Sequence, residues 1–403
     1  MKLLSVVTLL LAPLAIGQSL SGLWDASVNV KGVNVPFRFE IAGEGASVSG
    51  TFFNGDVKFT SSSGRYANSQ IDLKWDYTAS RLQATVQDGV IKGTYTRVGR
   101  DETTVYPFEA RHFAPSPLAS EDVPQIAGLW IIPTKSKKGE NAWQFIVRQS
   151  GPEVSAAILR IDGDTGALQG AYKDGKFLLS HFSGARPAVF EVKPAADGTL
   201  ELLENGRTKF TAIRADQAKA NGLPEPSDPS KFTSLKDPTK PFTFAFHDLN
   251  GKLVTNEDPR FAGKVVLINI TGSWCPNCHD EAPFLVAMYR KYRAQGLELV
   301  ALDFEEADQL KDPERLRAFL KKYGIEYTVL LAGDTAEATE KLSQAQNWSA
   351  WPTTFFIGRD GLVRGTHAGF PSSASGELFA QAKEDFEARV VKLLNENALT
   401  QRQ

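Results

Sequence analysis

Both cysteines of this 403-residue chain stand in one hexapeptide, Ser273-Trp274-Cys275-Pro276-Asn277-Cys278. A pair at this spacing suits a redox centre, half of a metal site or a small structural staple. The spacing fits the first turn of a helix. Unpaired backbone N–H groups and the helix dipole there favour an anion at the first cysteine. The thiolate is the nucleophile of disulfide exchange. Cys278, three residues on, shares a helical face with Cys275 and is placed to attack a mixed disulfide formed on it. Pro276 suits the first helical turn, which needs no N–H from it.

The flanking sequence supplies the elements that would position such a motif. Val265-Val266-Leu267-Ile268-Asn269-Ile270 is a near-continuous apolar run, the pattern of a buried central strand. Pro276 to Arg293 follows as a helix, with Phe284, Leu285, Met288 and Tyr292 near helical spacing. Leu297 to Leu302 reads as a strand, Asp312-Pro313-Glu314 opens a helix through Leu320, and Tyr327 to Leu331 is a short strand. Thr335 to Gln346 reads as a helix. Trp351-Pro352-Thr353-Thr354 leads a strand to Ile357, Asp360-Gly361 turns into Leu362 to Thr366, and an amphipathic helix runs from Gly376 to about Asn395.

This order resembles the thioredoxin fold and, more narrowly, the exported TlpA/ResA-like thiol–disulfide oxidoreductases. The resemblance covers Pro241 to Gln403. It rests on Gly263-Lys264 entering the central strand, Trp274 to Cys278, Glu281-Ala282-Pro283, and Trp351-Pro352-Thr353-Thr354. It implies that Cys275 attacks, that Cys278 resolves, and that the two cycle as a redox disulfide. Glu281 would relay the resolving thiol's proton, the more so because Asn269 stands where thioredoxins proper carry an aspartate. Trp274 would shield the disulfide. Pro352 would carry a cis bond, with the Trp351 backbone pairing with an extended substrate strand. No bound cofactor is implied; the partners are protein disulfides and an upstream electron donor. Ile270-Thr271-Gly272 departs from the bulkier aromatic segment common in the family. His279, four residues after Cys275, is either a cation beside the thiolate or a solvent-facing helix histidine.

The rest of the chain sets the context. Met1-Lys2 followed by an apolar run from Leu3 to Ile16 reads as a signal peptide over 1–17, so the protein is expected to be exported, periplasmic or extracytoplasmic. Membrane contact is expected only if that segment is retained. A net charge of −2 with no basic run argues against nucleic-acid binding. Residues 18–114 and 122–215 alternate apolar and polar between Gly/Asn/Asp turns. They form an apparent repeat, Gly22-Leu23-Trp24 recurring as Gly128-Leu129-Trp130. The expected architecture is therefore multidomain: two tandem all-β modules, barrel- or sandwich-like, a proline-studded linker over 216–240, and an α/β thioredoxin fold over 241–403. No residue of the β region is nominated for function, and His112 and His181 lack ligand-spaced neighbours.

Three other readings remain. A peroxiredoxin places Thr or Ser three residues before its reactive cysteine, where this chain has Gly272. A copper metallochaperone would use Cys275, Cys278 and His367, since thiolates suit Cu(I). A binding protein would carry its function on the β modules, with the redox domain as a partner dock.

Overall fold

The computed structural model describes residues 20–99, 102–115 and 122–396; the signal segment read at 1–17 lies outside them. The described residues form two closed eight-stranded β barrels followed by an α/β domain.

Each barrel follows from period-two alternation. In the Gly22–Val30 strand, Trp24, Ala26 and Val28 turn into the barrel and the residues between them face outward or lie part-covered. The Val33–Glu44 strand pairs with Gly22–Val30 on one side and Ser47–Asn54 on the other, which closes the ring and removes its free edges. The second barrel repeats the order: Gly128–Pro133 lies between Ala142–Ser150 and Thr208–Arg214, and Ala142–Ser150 closes on Glu153–Arg160. The repeated Gly-Leu-Trp opens the first strand of each ring. Both indole N–H groups donate four residues back, Trp24 to the Leu20 carbonyl at 3.1 Å and Trp130 to that of Ile126 at 2.9 Å. Gly22 and Gly128 sit at φ of 141° and 126°, where a side chain is strained. Each ring also carries a short extra strand, Val57–Thr60 or Gly163–Asp164. The barrels touch through Phe182, which packs edge-on against Phe52 and Tyr95 of the first barrel's core.

The C-terminal domain is built on a seven-stranded sheet in the spatial order Leu253–Thr255, Ala245–Asp248, Thr328–Asp334, Leu297–Glu305, Val265–Thr271, Thr353–Ile357, Val363–Ala368. The apolar run at Val265–Thr271 is buried at every position. It pairs parallel with Leu297–Glu305 and antiparallel with Thr353–Ile357. Helices Pro276–Tyr292, Glu314–Tyr323 and Glu377–Asn395 pack on one face through Leu285, Met288, Phe319, Phe386 and Val390. The other face is covered by Phe242, Phe244, Phe261 and Leu342. Among the described residues no helix is long and apolar enough to cross a membrane.

Two segments differ from the sequence reading. The helix expected over Thr335 to Gln346 is a capped turn, Thr335–Glu337, and one helical turn, Ala338–Lys341. The chain then becomes a strand, Ala345–Gln346, because Ser234–Leu235 offers it backbone partners. The stretch between the second barrel and the sheet is not extended throughout. It holds the helices Ala215–Ala220 and Pro229–Phe232, and the Thr233 carbonyl accepts from the Thr366 hydroxyl at 2.5 Å.

Candidate redox site

Cys275 is the N-cap of the helix Pro276–Tyr292. Its Sγ accepts the Cys278 backbone N–H at 3.3 Å, a donor that the Cys275 carbonyl shares at 3.1 Å. Both thiols are free, and each residue is only 2% exposed. The Cys275 sulfur also lies 3.7 Å from the Trp351 carbonyl oxygen, and the Trp351–Pro352 peptide is cis. Trp274 donates its indole N–H to the Phe304 carbonyl at 2.9 Å and meets Trp351 edge-on at 5.2 Å. Trp274 and Trp351, far apart in sequence, thus meet beside the sulfur, and Pro352 follows Trp351 across the cis bond. Burial pushes the Cys278 thiol well up, and the sulfur of Cys275 and the carboxyl of Glu281 add to the shift.

Glu281 is buried on the same helix, which rules out a surface helix charge. Its Oε2 accepts from Asn269 Nδ2 at 2.9 Å, and the same amide donates to Thr354 Oγ1 at 2.9 Å. Asn269 and Thr354 are direct partners across the central strand pair, so the sheet register fixes the carboxyl. Burial raises the Glu281 pKa to about 8, and the Asn269 and Thr354 hydrogen bonds only partly oppose it. This carboxyl is a neutral acid at neutral pH and can give and take a proton beside Cys278.

His279 fits neither expectation. It is buried, with Nε2 2.9 Å from the Ser273 carbonyl and Nδ1 2.9 Å from the Tyr323 hydroxyl. The carbonyl can only accept, so Nε2 carries the proton and Nδ1 accepts from the tyrosine. Burial lowers its pKa to about 3, so it supplies no cation to the thiolate. His367 lies on the Val363–Ala368 strand opposite Thr354, its Nδ1 3.0 Å from the Gly369 carbonyl. Among the described residues no group of three or more His, Cys, Asp or Glu is placed to hold a metal, which removes the Cys275–Cys278–His367 copper set. At Gly272, an added Cβ would collide with the Trp274 indole, so the hydroxyl residue of a peroxiredoxin has no room there.

The β region, from which no residue was nominated, supplies much of the wall. Asn277 Nδ2 donates to the Asp162 carbonyl at 2.6 Å, and Asn277 Oδ1 accepts from Arg186. Arg186 also pairs with the buried Asp280 at 3.3 Å. Burial raises Asp280 to about 7 against the pull of that arginine. Asp164 accepts from the Ser372 N–H at 2.8 Å and the Ser375 hydroxyl at 2.6 Å. From the first barrel, Arg97 donates to the Trp274 carbonyl at 2.7 Å. These contacts join residues about a hundred or more positions apart, and short-range pattern carries no trace of them. Glu305 and Arg315 were also missed. Arg315 Nε donates to Ser273 Oγ at 2.8 Å and its guanidinium pairs with Glu305, whose Oε1 accepts the Ser273 N–H at 2.7 Å. Two acids at the end of an apolar central strand, Asp303 and Glu305, were the available signal.

A parallel central strand that ends in a cysteine-capped helix, flanked by a cis-proline strand, defines a domain of the thioredoxin superfamily. Residues 235–366 match the model of the AhpC/TSA family. The chain is 32% identical over 120 residues to the thiol-disulfide oxidoreductase ResA of Bacillus thuringiensis (strain Al Hakam), covering 30% of this chain and 62% of that protein. It is likewise 32% identical to ResA of Bacillus subtilis (strain 168), covering 30% and 60%. The chain thus spans less than two-thirds of the length of these curated relatives. A solved thiol:disulfide interchange protein of the thioredoxin family from Chlorobium tepidum TLS is 25% identical, covering 39% of this chain and 98% of that one, with a TM-score of 0.31. The C-terminal domain is a TlpA/ResA-like domain.

Two outcomes follow from this geometry. Glu281, raised from 4.5 to about 8, holds its proton in the fold over a range where the unfolded chain has lost it. Folding stability relative to Glu281→Gln should therefore fall as pH rises from about 4.5 to 8, by about 1.4 kcal/mol per unit, and be level below that window. Urea melts of both proteins across the window check this, and parallel curves would contradict it. Arg186→Ala removes charged hydrogen bonds worth about 1.5–3 kcal/mol between the second barrel and the motif. Iodoacetamide should then alkylate Cys275 about tenfold faster; an unchanged rate would mean that the barrel does not gate the sulfur.

Proposed function

We propose that the protein is an extracytoplasmic thiol–disulfide oxidoreductase that reduces disulfides of partner proteins. The observation that carries this reading is the Cys275 sulfur at a helix N-terminus, 3.3 Å from the Cys278 N–H and beside the Trp351 carbonyl. At that position the sulfur is the atom placed to attack a disulfide that reaches the Trp351 side of the motif. In the first step Cys275 attacks a substrate disulfide and displaces one substrate thiolate. Cys278 then loses its proton, with Glu281 as exchange partner, and attacks the Cys275 sulfur. The Cys275–Cys278 disulfide forms and the second substrate thiolate leaves. Two electrons pass to the substrate, and an upstream dithiol restores the protein.

The ResA name of the relatives supports the reaction class, and the apolar N-terminal run supports the extracytoplasmic location. Trp274, Trp351 and Pro352 form the wall against which the substrate chain lies. The barrels shape the approach: with Cys275 2% exposed and Asn277 held by Asp162 and Arg186, a partner reaches the sulfur only as that contact loosens.

Cys275→Ser should abolish reduction of insulin disulfides by dithiothreitol-recycled protein. Cys278→Ser should instead accumulate a mixed disulfide on Cys275, visible by intact mass. Full reductase activity in Cys275→Ser would sink the reading. The midpoint potential of the couple decides the direction: a strongly reducing value supports a reductase, and one near the oxidising end reverses it.

A further inference from the structure

Asn277 stands between the two cysteines, and the second barrel holds its side-chain amide at both ends. Nδ2 donates to the Asp162 carbonyl at 2.6 Å, and Oδ1 accepts from Arg186. A two-point hold fixes the plane of the amide as well as its place. The Arg186 guanidinium is itself placed by further acceptors: it donates to the Asp164 carbonyl at 2.8 Å and pairs with Asp280 at 3.3 Å.

Two backbone features show a barrel shaped for this contact. Gly163 sits at a φ of 129°, and a Cβ there would come within 2.8 Å of Asn277 Cγ and 2.4 Å of the Phe370 carbonyl oxygen. Only glycine lets the turn at Asp162 and Gly163 close on the asparagine. Arg186 has a φ of 52°, a left-handed conformation that persists in a residue with a side chain only where its surroundings impose it. All these contacts are made with both thiols free. Oxidation must draw the two sulfurs to about 2.05 Å, with a set torsion about the new bond. The chain between them carries that movement, and Asn277, in its middle and pinned at two points, resists it.

We propose that the second barrel grips the dithiol form of the motif through Asn277, which makes Arg186 and the turn at Asp162 and Gly163 positioning elements that set the reduction potential of the Cys275–Cys278 couple. This deepens the oxidoreductase reading and rests on it. In exchange with a disulfide oxidant, Cys275 Sγ attacks and one oxidant sulfur leaves. Cys278 Sγ then bonds to Cys275 Sγ and displaces the second. Two electrons pass to the oxidant, and the two thiol protons end on its sulfurs. A grip that is tighter on the dithiol than on the disulfide favours the reduced state by the ratio of the two affinities. Linkage makes the effect mutual, so oxidation loosens the barrel by the same factor.

The test equilibrates the full chain with mixtures of reduced and oxidised glutathione and counts free thiols by intact mass after maleimide quenching. Arg186→Ala should shift the equilibrium about tenfold toward the disulfide, a potential about 30 mV lower. Asn277→Ala should shift the wild type the same way and add little in the Arg186→Ala background, because both remove one contact. Arg186→Lys keeps the charge but not the fork that spans Asn277 and Asp280, so it should not restore the wild-type potential. An unchanged potential in Arg186→Ala, additive effects of the two alanines, or full restoration by lysine would overturn the proposal. Should the variants fail to fold, the wild type decides. Backbone amides of 161–165 and 183–186 should exchange with D2O about tenfold faster in the disulfide form than in the dithiol form; equal exchange would overturn the proposal. A wild-type cysteine pair that forms no internal disulfide in any glutathione mixture would instead overturn the oxidoreductase reading.

Discussion

One sulfur occupies the place that a helix leaves for an acceptor. At the first turn of Pro276–Tyr292 the Cys278 N–H is shared between the Cys275 carbonyl and the Cys275 sulfur, which caps the helix. A hydroxyl or carboxylate would cap the helix as well, but only sulfur makes the capping atom a nucleophile for disulfides. The remaining parts hold that sulfur in place. The central strand aims the helix, and the Thr353–Ile357 strand brings Trp351 and Pro352 against it. The indole of Trp274 covers one side.

Holding the pair in a dry place has a cost that shows in its acids. Glu281, Asp303 and Asp280 are all pushed upward by burial, and all lie on or against the motif helix. A neutral Glu281 beside Cys278 does not oppose loss of the thiol proton by charge, as an ionised carboxylate would, whereas Asp280, raised only to about 7, faces Arg186. Asn269 illustrates the division of labour. It carries no charge, yet its amide spans Glu281 and Thr354, so it orients the acid rather than competing with it.

The redox domain was legible because its signals are local. An unbroken apolar strand, two cysteines at helix-start spacing and a proline before a strand each depend on a few adjacent residues. The barrels were legible as alternation and as a repeated Gly-Leu-Trp, because a strand's inward face recurs every second residue. The short segment after Thr335 was misread, since only Ser234–Leu235, a hundred residues away, decides that Ala345–Gln346 is a strand. His279 was unresolved because its position on the helix says nothing of Tyr323 and Ser273, which close over it. Arg186, Asp162 and Asp164 left no sign, because a loop charge that pairs across domains looks in sequence like any solvated charge.

The composition of the barrel contact bears on why the barrels are there. A permanent interface is rich in apolar area, and a transient one in hydrogen bonds. Against the motif and its neighbouring loops the second barrel offers Asp162, Asp164, Arg148 and Arg186, with Ile161 packing on Ala350 and Ala368. Polar contacts exchange for water at small net cost, whereas an apolar seam does not. An interface of this make-up parts and recloses more readily than one built like a core. Asp162 and Arg186 hold Asn277 and Asp280 in the helical turn that follows Cys275, so the bonds that pin this turn are themselves polar and exchangeable with water.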